Sequence, residues 1–275
     1  MRLALIQTKQ NCLYEFDKNT VLPREKILQW QAEMIEQNFS LLQKTTADNC
    51  DLIFTTEAIN FCGQPGRIGE GWEQYIIAEQ DKLLLRFANA ARTARSYLVA
   101  GMYRHEAGSG IYNAAVVFDR SGDIMKIYDK IHLAGDENDY LQAGTIPVCV
   151  DMDFGRVGIC ICWDAQFPET FRLLSLARAQ LVVCPTWGWE QIYGHARAYE
   201  NGIFTAAAMA IPYAEDISGI RTPSEVISPE GEILCRASRN SEEVLLCEIE
   251  LKNGERHRKK RMSGRRPECY HPLCE

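Results

Sequence analysis

Five short apolar runs rich in β-branched residues, at Leu3 to Ile6, Leu52 to Phe54, Ala114 to Phe118, Val157 to Ile161 and Leu181 to Cys184, punctuate the chain. Segments of helical period separate them, and this alternation constrains the fold more than any other feature. Runs so uniformly apolar read as buried strands. In the intervening segments Ile27, Trp30, Met34 and Leu41 share one helical face, as do Ile76, Leu83, Leu84, Phe87, Ala91 and Ala94. The pattern predicts an α/β protein.

Two stretches interrupt the alternation. AAVVFDRSGDIMKIYD and SEVISPEGEILCRA each set a Gly-containing polar turn between two apolar runs, the signature of a hairpin. A strand–helix–strand block precedes each hairpin, so two similar halves are expected. The architecture that follows is a four-layer α-β-β-α sandwich, with two mixed β-sheets packed face to face and helices outside; periodicity alone also permits a three-layer doubly wound sheet. No linker-like stretch divides the 275 residues. We therefore expect one domain over residues 1–254, with the basic tail 255–275 belonging to it and reaching a subunit interface.

The first ten residues, MRLALIQTKQ, hold too short an apolar run for a signal-peptide core, and nothing approaches the length of a membrane span. Eleven scattered cysteines without an export signal read as free thiols, which points to the cytoplasm. A formal charge of −7 argues against a nucleic-acid partner held through its backbone. No CxxC pair occurs and the close cysteine pairs are Cys160/Cys162 and Cys269/Cys274, so neither metal nor cofactor is expected.

The strongest local feature is RVGICICWDAQFPETFRLLSLA, where an apolar strand reaches Cys162 and a helix with Asp164 and Pro168 near its start follows. A thiol at such a junction is expected to feel the positive end of the helix dipole and exposed backbone amides. Cys160, two residues earlier, reads as an inert cysteine on the same strand face. A nucleophile needs a base. None of the five histidines sits in a protease-like signature, and His132, two residues beyond Lys130, reads as a hydrogen-bonded structural residue. Glu57 lies just past the strand in DLIFTTE, where α/β folds collect reacting groups, and a carboxylate there can accept the thiol proton and later activate water. Lys130, at the end of IMKIYD, can set a fixed cation opposite a developing oxyanion.

Together these segments resemble the nitrilase superfamily of carbon–nitrogen hydrolases. The resemblance runs nearly the whole chain: RLALIQ, FTTEAINFCG, IYNAAVVFDRSGDIMKIYDKIHL, GICICWDAQFPE, CPTWGW, ARAYENGIFTAAA, ISPEGEIL and RRPECY. It implies a Glu-Lys-Cys triad with Glu57 as general base, Lys130 as oxyanion lysine and Cys162 as nucleophile. Glu137, in GDENDYLQAG, matches a second glutamate that orients substrate and holds the lysine. The Trp163 amide would complete the oxyanion hole, and Trp187 falls in a segment that lines the substrate pocket.

Many amidase-type relatives carry tyrosine or another residue after the cysteine and arginine before FPE, whereas this chain has Trp163 and Gln166; nitrilases usually place glutamate where it has Asp164. That favours a small amide or N-carbamoyl amine over a nitrile. The acidic loop AGDENDYLQAG can select an amine-bearing substrate or simply be solvated. Transfer to an amine by the same thioester, and a silent binding protein that kept the fold, stay open as alternatives. The expected partners are the small-molecule substrate and further copies of this chain, as a homodimer or higher homo-oligomer. Seven Arg and Lys between Arg256 and Arg266 form a solvated run or an arm that pairs with a partner's acidic body.

Overall fold

The computed structural model describes residues 1–10, 23–61, 72–212 and 221–271. Cys12, Cys62, Cys274 and the last four residues of the basic tail lie outside them. The chain is a mixed α/β fold with a large mixed sheet and flanking helices. Its strands are β1 (Arg2–Lys9), β2 (Leu52–Phe54), β3 (Tyr97–Glu106), β4 (Gly110–Phe118), β5 (Ile124–Asp129), β6 (Val148–Met152), β7 (Gly155–Ile159), β8 (Leu181–Thr186), β9 (Phe204–Ile211), β10 (Glu225–Ile227), β11 (Ile233–Arg236) and β12 (Glu243–Glu248). The helices are α1 (Arg24–Lys44), α2 (Glu73–Ala94), α3 (Pro168–Leu176), α4 (Gln191–Asn201) and α5 (Lys252–Ser263).

Strand pairing repeats itself. In the first half β1, β2 and β3 run parallel, and β4 and β5 add antiparallel. In the second, β7, β8 and β9 run parallel, and β10 and β11 add antiparallel. β12 closes the outer edge of β1 and β6 that of β7, both antiparallel. The two hairpins read from the sequence are β4–β5 and β10–β11. Between the halves β1 and β9 meet at Thr8–Ala210 and Lys9–Ile211, where the ends of two parallel strands touch.

Side-chain alternation explains what each face covers. Leu52 and Phe54 of β2 point into the same apolar cluster as Leu181 and Val183 of β8, Val157 and Ile159 of β7 and Leu3 and Leu5 of β1. The intervening Ile53 turns the other way, onto Phe39 and Leu42 of α1 and Phe87 and Ala91 of α2. Val182 and Cys184 likewise turn onto Phe171 and Leu174 of α3. A strand buried on both faces must be apolar at every position, which is why these runs lack the polar alternation of a half-exposed sheet. α3 opens on Pro168 with Glu169 in its first turn, and α4 stops at Gly202 in the left-handed region. Among the described residues no helix is long and apolar enough to cross a membrane.

Residues 55–59, which follow β2, cross directly over Gly101 of β3. The Gly101 amide donates to Thr55 Oγ1 at 2.9 Å and its carbonyl accepts from the Ile59 amide at 3.0 Å. A Cβ on Gly101 would lie 2.2 Å from the Thr56 carbonyl oxygen and 3.0 Å from Glu57 Cα. Since the obstruction is backbone, it cannot rotate away. Gly101→Ala is therefore expected to cost about 1–3 kcal/mol through overpacking, read as a lower midpoint in urea unfolding with an unchanged slope. An unchanged midpoint would show that the crossing is not the tight approach described.

Candidate active site

The candidate residues converge where strands end. Glu57 lies three residues beyond β2, Lys130 follows β5 directly, Cys162 lies three residues beyond β7 and Trp187 follows β8 directly. All four strands finish on the same side of the molecule, the usual location of reacting groups in α/β sheets. Glu137 joins them from a 3-10 turn, Gly135–Asp139, and its Oε2 accepts from the Ala134 amide at 2.6 Å.

At the centre is the Lys130 ammonium, 1% exposed. It donates to Glu57 Oε1 at 2.9 Å and to both Glu137 oxygens, at 3.1 and 2.8 Å. Burial alone would lower the lysine, but Glu57, Cys162 and Glu137 together hold it well above the usual lysine range. For Glu137 burial wins: it pushes the carboxyl up and Glu57 adds to the push, while Lys130 pulls back only in part. The amide of Asn113 on β4 ties the two acids, donating to Glu57 Oε1 at 2.7 Å and to Glu137 Oε1 at 3.3 Å.

Trp187 fixes Glu57 from the second half. Its backbone amide donates to Glu57 Oε2 at 3.1 Å and its indole to the Glu57 carbonyl at 2.7 Å. That same amide and the Thr186 hydroxyl face the Cys162 sulfur. A Cβ added to Gly188 would also lie 3.9 Å from Cys162 Sγ, so the thiol sits against the segment following β8. Trp163 is 40% exposed.

Two expectations at Cys162 need correcting. The chain does not pass straight into a helix: Cys162–Gln166 form a 3-10 turn and α3 begins only at Pro168, too far on for its dipole to act strongly on the sulfur. The thiol is accordingly not acidified. Burial pushes it up, Glu57 adds to the shift, and Lys130, Thr186 and the Trp187 amide offset it only in part, leaving it at about 12. A thiol so placed is protonated at neutral pH and must pass its proton to a neighbouring base to become a nucleophile. Nor do Cys160 and Cys162 share a face. Cys162 has φ +44, a left-handed backbone that breaks the strand alternation. Cys160 is buried toward α3 while Cys162 lies against the central cluster.

Sequence reasoning missed Asn113, whose one signal is an amide interrupting the apolar run of β4. It also took Asp164 for a helix-start residue. The Asp164 carboxylate is fully buried and accepts from the Ile161 amide at 2.8 Å, the Tyr128 hydroxyl at 2.7 Å, and the amide and Nδ1 of His132 at 3.0 and 2.8 Å. His132 is structural as read, stacked on Phe167 with ring centres 3.8 Å apart. In the tail, His257 Nε2 meets Glu230 at 2.5 Å and the Arg261 guanidinium covers the Tyr199 ring at 4.3 Å, so the described part of it packs on the body.

Removing the Lys130 charge while keeping its volume would leave two buried acids facing each other through Asn113. We expect Lys130→Met to be about 3–5 kcal/mol less stable than the parent at pH 8. An acid whose folded pKa is raised stabilises the fold at low pH and loses that contribution as pH rises through the folded value. The deficit should therefore shrink toward pH 5, as one acid takes a proton. Urea unfolding at the two pH values measures it, and a deficit independent of pH would contradict the electrostatic account.

A profile of the family described as carbon-nitrogen hydrolase matches residues 2–259. Among curated relatives, a nitrilase of Pyrococcus abyssi is 35% identical over 170 residues, covering 59% of this chain and 63% of that protein. An omega-amidase of Homo sapiens is 28% identical over 186 residues, covering 61% of this chain and 66% of its own. The matches thus span less than two thirds of either relative's length. Among solved structures, a carbon-nitrogen hydrolase from Helicobacter pylori G27 superimposes with a TM-score of 0.76 at 22% identity, covering 100% of this chain and 98% of the other. The family match over residues 2–259, together with the matching fold, shows that the chain belongs to the carbon-nitrogen hydrolase family.

Proposed function

We propose that the protein hydrolyses a non-peptide C–N bond of a small amide or N-carbamoyl amine, with Cys162 as nucleophile, Glu57 as general base and Lys130 as oxyanion donor. The observation that carries this reading is the buried Lys130 ammonium, bonded to Glu57 and Glu137 at 2.9 and 2.8 Å, beside a thiol on a left-handed turn. A protonated thiol, a carboxylate to receive its proton and a fixed cation for the charge that develops are the three parts acyl transfer needs.

In the first step Cys162 Sγ attacks the carbonyl carbon while its proton passes to Glu57. The resulting oxyanion is held by Lys130 and the Trp163 amide. Glu57 then returns the proton to the leaving nitrogen, the C–N bond breaks and a thioester remains. Water enters, gives a proton to Glu57 and attacks the thioester; sulfur leaves and recovers the proton, and the acid is released. Glu137 holds Lys130 charged throughout, so the donor is in place before charge develops.

The same reading includes a four-layer α-β-β-α sandwich for residues 1–254, supported by one apolar cluster shared by strands of both halves and two further clusters beneath the helices. The tail 255–275, as far as it is described, packs against the second half as part of that domain. We place the protein in the cytoplasm as a homodimer or higher homo-oligomer that acts on a small molecule, with no nucleic-acid or membrane partner. Support comes from the net charge of −7, the eight free cysteines among the described residues and the exposed Leu173, Leu176, Ile192 and Tyr199 on α3 and α4.

Ammonia release from a panel of small amides, N-carbamoyl amines, ω-amidated acids and nitriles tests the proposal. Amides or carbamoyl amines should be preferred over nitriles, and Cys162→Ala and Glu57→Gln should each lower kcat/KM by about 10³-fold or more. Free acid should form at the same rate with and without an added alkylamine. Turnover that survives Cys162→Ala would overturn the assignment, and diversion of product to the N-alkyl amide would make the enzyme a transferase.

A further inference from the structure

We infer that Asp164 is a positioning residue that sets the distance between the oxyanion donor and the nucleophile; the inference rests on the proposed roles of Lys130 and Cys162. Lys130 and Cys162 come from opposite halves of the molecule, after β5 and β7. The main chain at Lys130 is tied within its own half, its amide to the Asn113 carbonyl and its carbonyl to the Gly144 amide, each at 2.8 Å. Neither bond fixes it relative to the sulfur. Asp164 supplies that link.

The bonds are arranged symmetrically about the two reacting residues. Tyr128 and His132, two positions before and two after Lys130, both donate to the carboxylate two positions after Cys162. The fourth donor is the Ile161 amide, immediately before Cys162, at 2.8 Å. An ionised carboxylate has about four acceptor positions and no donor, so four donors satisfy it completely and the His132 nitrogen facing it must carry the proton. Both flanks of the lysine are thereby fastened to both flanks of the cysteine through one buried group. Because the Lys130 side chain is separately held by Glu57 and Glu137, losing the clamp would shift the donor relative to the sulfur while leaving its charge in place. Misplacement of this kind, even by a fraction of an ångström, affects an interaction made only in the transition state.

Two variants test this. Asp164→Asn offers one acceptor oxygen in place of two and sets an amide N–H against a backbone N–H, that of Ile161 or of His132, which loses its acceptor. Tyr128→Phe removes a single hydroxyl and keeps the ring, so it remains informative if the first variant folds poorly. Each is measured in two reactions. Amide turnover passes through an oxyanion. Methyl methanethiosulfonate does not: the Cys162 sulfur displaces methanesulfinate from the reagent's sulfur, its proton passes through Glu57 to solvent, and a methyl disulfide forms.

The expected result is a kcat about 100-fold lower for Asp164→Asn and about 10-fold lower for Tyr128→Phe. KM and the rate of S-methylthiolation at Cys162, followed by peptide mass spectrometry, should stay within about twofold in both. Unchanged kcat in both variants would overturn the inference. So would parallel loss of turnover and methylthiolation, because it would mean that Asp164 merely supports the turn carrying the sulfur. Failure of the proposed function appears separately, as parent turnover insensitive to Cys162→Ala, and would remove both claims at once.

Discussion

The arrangement depends on one buried cation. An ammonium withdrawn from water is costly unless opposite charge surrounds it, and Lys130 meets that condition with two carboxylates rather than one. The pairing has a reciprocal effect. Two acids as close as Glu57 and Glu137 would repel and force a proton onto one of them, so the lysine stabilises them as much as they stabilise it. Asn113, donating to both, completes a group in which no member is easily removed alone.

Everything else in the fold places that group. The first half delivers Glu57, Lys130, Glu137 and Asn113 on loops and strands packed against α1 and α2. The second half delivers the sulfur and the amide of Trp187. Two sets of polar contacts cross between the halves at the site: Trp187 to Glu57, and Asp164 to Tyr128 and His132. The shared apolar cluster, which takes in Leu5 and Phe54 of one half and Val157 and Val183 of the other, supplies the non-directional burial. The directional contacts then select one register out of those that burial alone would tolerate.

Much of this was legible in the residues. Uniformly apolar runs marked strands buried on both faces, and polar Gly turns marked both hairpins. The motifs around Glu57, Lys130 and Cys162 carried the family, and the structure brings the Glu57–Lys130–Glu137 group together. What escaped reading has a common physical cause. Cys162 was expected on a strand running into a helix, because Asp164 and Pro168 look like helix-start residues; the left-handed backbone and the intervening 3-10 turn depend on where the Asp164 carboxylate finds its donors, and three of the four lie over 30 residues upstream in sequence. The elevated thiol has the same origin, since burial beside Glu57 is a tertiary fact. Asn113 left only the faint trace of an amide within an apolar strand.

The most direct test of the central claim is whether the sulfur beside this cation becomes covalently bonded during turnover. Rapid acid quench of the parent enzyme mixed with a good amide substrate, followed by intact and peptide mass spectrometry, reads it in a single experiment. The account predicts a mass increase equal to the acyl group, located on Cys162 and absent from Cys162→Ala. Ammonia release without such an adduct, or an adduct on another residue, would contradict it.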